Sequence, residues 1–402
     1  MTQKELTAVN QQIVTPAYVF SCDEFRARAE QTEAILGQNI NICYSMKANP
    51  FMISALPEEF SNVEVCSPGE LSICIATGIP AGKIIYSGLN KGEEDITRAL
   101  EYGVGSITAE SRLHLEMIER CAEKTGKRPE VLVRASAGSQ FGIDRKEVPQ
   151  ILADRTPYPS LDFTGIHFFT GTQKRKAKEI IRELTFLGKY ITELRETSGL
   201  ELRKVEYGTG LPAYLFRDDE HDSPESAYAA ELERLKEIAP ALQELSENCS
   251  LTIEMGRFFA SSCGHYFTKV VDAKTNDGIN FAIIDGGSHQ IRYFGQMQGM
   301  QIPFISHIHA DESAQADEGT QAEDWTICGS LCTTADVLAR GLTLDGMKTG
   351  DVLVFHQAGA YALYECMSLF LSRDLPRIYL CNNDKLTLHR DRIDSDPLNT
   401  PV

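Results

Sequence analysis

Eight short apolar runs, most of them followed by a longer amphipathic stretch, occupy residues 40 to 256 and restrict the fold more than any other feature of this chain. The runs are NICYSMKA (41–48), VEVCS (63–67), KIIYSG (83–88), GSITAE (105–110), EVLVRAS (130–136), FTGIHFF (163–169), KVEYG (204–208) and LTIEMG (251–256). Between them lie helical patterns such as SRLHLEMIERCAEKTGK (111–127) and KAKEIIRELTFLGKYITELRETSG (176–199). In the second, Ile180, Ile181, Leu184, Leu187, Ile191 and Leu194 recur at the three-and-four spacing of one buried face, and Gly199 stands where a C-terminal cap belongs. Strands alternating with helices imply a parallel sheet covered by helices, and eight is the number that closes a barrel. An open, doubly wound sheet is equally compatible with the pattern alone.

Beyond about residue 265 the rhythm changes. GHYFTKVVDAKT, NFAIIDGG, DWTICGSLC and GDVLVFHQAGAYAL are short strand signals separated by turn residues, with little helical periodicity. A second, mostly antiparallel β domain is expected, a barrel or sandwich, and the early strand TPAYVFS (15–21) is placed with it. The expected boundaries are 25–265 for a (β/α)8 barrel and 1–24 with 266–402 for the β domain. HADESAQADEGTQAEDW (309–325) is acidic and poor in apolar residues, and reads as a solvated loop.

Charge narrows the partners. With 39 Lys+Arg against 57 Asp+Glu the net charge is −18, which argues against non-specific nucleic-acid binding. No run of about 18 apolar residues is available to span a bilayer, and the opening MTQKELTAVNQQIVTP is polar, so a cytoplasmic protein is expected. The 11 cysteines are scattered, odd in number and without a CxxC pair. Neither a zinc site nor a disulfide framework is expected from them, and no metal is assigned.

In a parallel barrel the C-terminal strand ends carry the chemistry. Lys47, Ser67, Ser87, Arg134, His167 to Thr172, Gly208 to Gly210 and Glu254 to Arg257 all fall at such ends. A lysine at the tip of an apolar strand has two readings. It is a structural ion-pair partner, or it is an amine whose neutral form is favoured by desolvation and which condenses with a carbonyl. EYGTGLP (206–212) and EMGRFF (254–259) put glycines after strands, where the backbone can approach a phosphate. A carbonyl-capturing lysine with a phosphate cradle points to pyridoxal 5'-phosphate (PLP).

YSMKANP (44–50) resembles the lysine motif of the barrel-type (fold type III, alanine racemase-like) PLP-dependent decarboxylases, the family of the diaminopimelate, ornithine and carboxynorspermidine decarboxylases. VEVCSPGEL, SQFGID, GIHFFTGTQ, EYGTGLP, EMGRFFASSCG, CGSLCTTADVLA and GAYAL follow in the family's order over nearly the whole chain. The resemblance implies the barrel rather than the open sheet, and a homodimer with shared active sites. It implies that Lys47 holds PLP covalently and that Glu254 keeps the pyridine nitrogen protonated. Glu64, Ser67 and Phe169 are implied beside the cofactor. Thr172, Gly208, Thr209, Gly210, Gly256 and Arg257 are implied at its phosphate, with Tyr361 joining them and reaching the substrate. Cys332, supplied by the neighbouring subunit, is implied as the donor of the proton that replaces CO2. Glu254, where related racemases place an arginine, favours decarboxylation over racemisation.

Three departures from the family pattern stand out. Phe169 replaces a ring-stacking histidine that is common there, leaving His167 nearby with a structural role. Gln140 stands where lysine is usual, and Glu64 where aspartate is common. Thr333 stands where an acid usually grips the distal ammonium of a basic substrate, while Arg292 resembles an arginine that meets a substrate carboxylate. The expected substrate is therefore a conjugated or carrier-bound amino acid, as in siderophore or antibiotic pathways. One alternative is a free basic amino acid (diaminopimelate, ornithine or lysine) held by another acid, such as one in the 309–325 stretch. A non-catalytic PLP-binding homologue is a further alternative.

Overall fold

The computed structural model describes residues 1–310 and 322–401 and divides the chain into two compact units. One comprises Arg26–Pro212 and Ala230–Phe259; the other comprises Met1–Phe25, Ala213–Ala229 and the chain from Ala260 onward.

The first unit is built on a closed barrel of eight parallel strands: Ile40–Ser45, Phe60–Val65, Ile84–Tyr86, Ser106–Ala109, Glu130–Ala135, Asp162–Phe169, Lys204–Gly208 and Ser250–Met255. Each apolar run of the sequence supplies one of them. Closure comes from the last strand pairing with the first, from Ile40↔Leu251 to Tyr44↔Met255. Cys43, Ile85 and Leu132 cluster although they come from the first, third and fifth strands. Contact between non-adjacent strands means these side chains fill the barrel's interior, the layering expected of such a closed sheet.

The outer helices follow their patterns. Arg112–Thr125 is capped by Ser111, whose Oγ accepts from His114 N at 3.1 Å. Ala177–Ser198 buries Ile180, Leu184, Leu187, Ile191 and Leu194, and ends at Gly199 in the left-handed region (φ +60°). A fully buried ion pair joins Arg28 of helix Cys22–Leu36 to Glu231 of helix Pro224–Ser246. Arg28 Nε also donates to Phe258 O at 3.1 Å, and its guanidinium lies 4.3 Å from the centre of the Phe258 ring.

The second unit carries a nine-stranded sheet. Its long strand Gly264–Asn276 pairs antiparallel with Ala17–Ser21, Ile279–Ile284 and Val352–Phe355. Two pairings are parallel, Ala17–Ser21 with Arg377–Asn382 and Ile279–Ile284 with Ala322–Cys328, so the sheet is mixed rather than purely antiparallel. Parallel neighbours need a long crossover, and for the first pair the whole barrel lies between them in sequence. Residues 213–229, inside the span expected for the barrel, belong to this unit; there Phe216 bridges to Pro303 and Tyr214 stacks on His221. Residues 322–325 begin a strand and are not loop, and 311–321 lie outside the described residues. Among the described residues no helix is long and apolar enough to cross a membrane.

Removing Glu231 leaves the Arg28 charge buried without its carboxylate, a loss that typically costs about 3–5 kcal/mol. Glu231→Ala should lower the urea midpoint of the barrel's unfolding transition accordingly. An unchanged midpoint would show that the Arg28 charge is compensated without Glu231.

Candidate active site

The first barrel strand stops at Ser45, and Lys47 lies in the 3-10 turn Met46–Ala48 just beyond it rather than in the strand itself. Asn49-Pro50 builds the turn. Asn49 is extended (φ −162°), as the residue before a proline prefers, and its side chain accepts from Phe51 N at 3.1 Å. Lys47 Nζ lies 2.6 Å from Glu64 Oε2 and 3.4 Å from Glu254 Oε1. The lysine side chain is 38 % exposed, whereas those of Glu64 and Glu254 are 3 % and 9 % exposed. The amine is thus ion-paired to two buried acids at the end of a side chain that solvent reaches in part.

Two donors besides Lys47 hold Glu254. Ser45 Oγ donates to Oε1 at 2.8 Å, and His167 Nε2 meets Oε2 at 3.2 Å. Burial keeps the His167 imidazole below its ordinary value, so the ring is neutral near pH 7 and donates Nε2–H to the carboxylate. Burial alone would raise the Glu254 carboxyl, but the Lys47 charge and the His167 hydrogen bond hold it well below the usual range. Glu64 goes the other way: burial and then the Glu254 charge push it up to about 7, with Lys47 opposing.

A third carboxyl went unread in the sequence. On the seventh strand, Tyr207 Oη donates outward to Glu183 Oε2 at 2.8 Å, so alternation turns its neighbour Glu206 into the barrel. Glu206 is 1 % exposed, and neither carboxyl oxygen has a hydrogen-bond partner among the described residues. Burial, then Glu254 and Glu64, raise it well above the ordinary range, which keeps it neutral. The signal was one acid in an otherwise apolar strand. Cys66, also unread, brings Sγ to 3.5 Å from Lys47 Nζ.

The glycines let the strand-end turns pack closely. A Cβ on Gly208 would sit 2.4 Å from Phe169 Cδ2, and one on Gly210 (φ +65°) would sit 2.1 Å from Gly171 O. On Gly256 it would meet Ala48 Cβ at 2.9 Å, so that turn packs directly against the Lys47 turn. Lys174, another unread residue, donates through its backbone N to Gly210 O at 2.9 Å and through Nζ to Thr209 O at 3.4 Å. It supplies a cation under this loop, balanced by Glu183 at 2.6 Å. Thr209 is buried, Arg257 is buried at the start of helix Arg257–Ala260, and Thr172 is exposed. Ser67 Oγ caps helix Pro68–Ala76 by accepting from Glu70 N at 3.1 Å.

The remaining predicted residues belong to the second unit. Cys332 is an exposed thiol and Thr333 is half-buried. Their turn is organised by Asp336, whose carboxylate accepts from Ser288 N at 2.7 Å and Leu331 N at 2.8 Å. Arg292 is exposed, and its backbone N donates to Ala362 O at 2.9 Å, next to Tyr361 (φ +63°). A cleft of ≈ 490 Å³ is lined by Arg292, Met297, Met300, Ala335, Val337 and Met367 among others.

The profile of the family described as "Pyridoxal-dependent decarboxylase, pyridoxal binding domain" matches residues 22–261. The chain belongs to this family. It is a PLP-dependent decarboxylase, and PLP is its cofactor. Among curated relatives, the 2-[(L-alanin-3-ylcarbamoyl)methyl]-2-hydroxybutanedioate decarboxylase of Staphylococcus aureus is 28% identical, with 90% of this chain and 93% of that protein covered. The L-glutamyl-[BtrI acyl-carrier protein] decarboxylase of Niallia circulans is 27% identical over 99% of this chain and 96% of its own. Among solved structures, diaminopimelate decarboxylase from M. jannaschii in complex with L-lysine superposes with a TM-score of 0.82 at 21% identity, covering 98% of this chain and 93% of that one. The barrel residues of this PLP-dependent decarboxylase fit the cofactor. A lysine whose side chain is 38 % exposed stands beside two buried acids, and three glycines pack the strand-end turns, one of them directly against the lysine's own turn.

A carboxyl raised by folding binds its proton more tightly folded than unfolded. Its contribution to stability is therefore full below the ordinary carboxylate range and is lost as the pH climbs through about 7, the value for Glu64. Glu64→Gln removes that loss. In protein stripped of PLP, the melting temperature of the variant relative to wild type should rise between about pH 5 and pH 8. A flat or falling difference would mean Glu64 is ionised throughout.

Proposed function

We propose that this decarboxylase acts on a conjugated or carrier-bound amino acid, one carrying an anionic or bulky group in place of a free distal ammonium. The observation that carries this reading is the chemistry around Cys332. Thr333 follows the thiol, and a cleft of the same unit has one charged lining residue, Arg292, and no carboxylate in its lining among the described residues. A free ammonium desolvated there would meet no opposite charge and would lose several kcal/mol of recognition. A carboxylate would meet a guanidinium fork suited to it. Two relatives' names agree in kind: one describes an alanine joined through an amide to a hydroxybutanedioate, the other a glutamyl group on an acyl-carrier protein. The second reading, free diaminopimelate, is favoured by relatives such as the Zymomonas mobilis diaminopimelate decarboxylase, 26% identical over 96% of this chain.

When bound, PLP supplies an electron-accepting ring for the bond that releases CO2. Lys47 would hold the cofactor through its exposed amine. Glu254, kept ionised by Ser45, Lys47 and His167, would hold a proton on the ring nitrogen. Phe169 would pack on the ring beside Glu64 and Ser67. Gly208, Thr209, Gly210, Gly256 and Arg257 would hold the phosphate with Thr172 and Tyr361. Cys332 would deliver the proton to Cα, and its exposure on the second unit suits service to a second copy in a homodimer. Phe294, Met297, Met300, Met367 and Phe370, exposed apolar side chains of the same unit, fit an interface between copies.

The test is CO2 release from two sets of substrates. An alanine amide-linked at C3 to a hydroxybutanedioate should exceed diaminopimelate, lysine and ornithine by at least about tenfold in kcat/KM, the effect of one lost charge-assisted contact. Comparable turnover of a free diamino acid would sink the proposal. Arg292→Ala should raise KM for the anionic conjugate about tenfold while PLP absorbance is unchanged. If PLP is lost in parallel, Arg292 supports the fold instead.

Cys332→Ala should slow CO2 release on the order of a hundredfold, as expected when a general acid is removed. An unaltered rate would take the thiol out of the reaction.

A further inference from the structure

We propose that His307, His309 and Asp351 form a site for one divalent transition-metal ion of the zinc class, in the second unit and separate from the PLP residues. Two imidazoles and a carboxylate are assembled there by strand geometry. His307 and His309 are two residues apart on an extended segment, so their side chains share a face. Strand Ile305–Ile308 pairs antiparallel with Val352–Phe355, with Ile308 opposite Val352. One step further along the same register sets His309 across from Asp351.

The side chains converge accordingly. The imidazole centroids are 4.1 Å apart. His307 Nε2 lies 2.8 Å from Asp351 Oδ2, and His309 Nδ1 lies 3.7 Å from the same oxygen. One donor atom from each of the three lies within 4.8 Å of the others. Donors about 2.0–2.1 Å from a tetrahedral zinc are about 3.3 Å apart, so the ion needs side-chain adjustments of about an ångström. A simple His307–Asp351 hydrogen bond would leave the second ring unexplained, yet His309 also turns Nδ1 toward that oxygen.

The surroundings suit a metal as well. The side chains of His307, His309 and Asp351 are 8 %, 17 % and 3 % exposed, a largely dry site that opens beside His309. Asp351 is oriented by backbone donors, Ala310 N to Oδ1 and Lys348 N to Oδ2, both at 2.9 Å. Two nitrogens and one oxygen suit Zn²⁺, Co²⁺, Ni²⁺ or Cu²⁺ better than the all-oxygen cations, and three protein donors leave a fourth position for water. Neither histidine belongs to a cysteine motif, and Asp351 is remote from both in sequence, so the pattern alone does not reveal the trio. The ion would pin the end of one strand to the start of its neighbour.

The test uses tag-free, PLP-loaded full-length protein. Titration with Zn²⁺ by calorimetry should give about one equivalent bound, and Co²⁺ should give visible d–d absorption without thiolate charge transfer. His309→Ala, the mildest change because this ring is the most exposed of the three, should weaken Zn²⁺ at least tenfold while PLP absorbance is retained. His307→Ala should do the same. The proposal is overturned if both variants bind as wild type does, if the Co²⁺ spectrum is that of a thiolate site, or if wild type takes up no Zn²⁺.

Discussion

The site depends on one amine set against three buried carboxyls at the mouth of a closed barrel. A closed sheet admits little water, so an ionised carboxylate inside it must be compensated by donors the chain itself supplies. The donors are unequally shared. Glu254 receives Ser45 Oγ, His167 Nε2 and Lys47 Nζ; Glu64 receives Lys47 Nζ and Cys66 Sγ; Glu206 receives none among the described residues. The protonation of the three follows that ranking: Glu254 is pulled low, Glu64 sits near 7, and Glu206 is held neutral. Groups this close titrate as a set, and their unequal environments divide the roles between them.

That division is what the chemistry requires. An acid assigned to hold a proton on a ring nitrogen must itself remain ionised, and a lone buried glutamate would not. The Lys47 charge and then the His167 hydrogen bond secure this. His167 is buried and neutral, and it offers one N–H to the outer oxygen of Glu254 while Ser45 and Lys47 take the inner one. The sequence placed His167 as structural, and the geometry makes it a positioning residue for Glu254. Phe169, in place of the family's frequent histidine, packs against Gly208 without adding another titratable ring to a crowded set.

How far this was legible depended on how local each cause is. Barrel strands buried on both faces read as continuous apolar runs, so all eight were visible. The edge strand Lys385–Arg390 is largely exposed, and its polar alternation carried no comparable signal. The parallel pairing of Ala17–Ser21 with Arg377–Asn382 joins chain ends and leaves no trace in either segment. Asn49-Pro50 announced a break, but the strand had already closed at Ser45 because the 3-10 turn needs Met46 to Ala48. Glu206 was hidden because one acid among apolar neighbours does not reveal which way its strand faces. The roles of Arg292, Thr333 and Cys332 came through resemblance, since nothing in their own segments announces chemistry.

The residues proposed for the cofactor and those proposed for the substrate fall largely in different units, Tyr361 being proposed for both. The carboxyl set around Lys47 lies wholly within the barrel unit, whereas Arg292, Cys332, Thr333 and Tyr361 lie in the other. The turn holding Cys332 and Thr333 is fixed by the Asp336 carboxylate, and Arg292 by a backbone bond to Ala362. Neither Thr333 nor Arg292 is among the hydrogen-bond partners of Glu254 or the atoms packed at Gly208, Gly210 and Gly256. Relatives at 28%, 27% and 26% identity carry names with three different substrates, as such a division allows. What differs between the candidates is the charge their side chains carry, and the one charged residue lining the second unit's cleft, among the described residues, is Arg292.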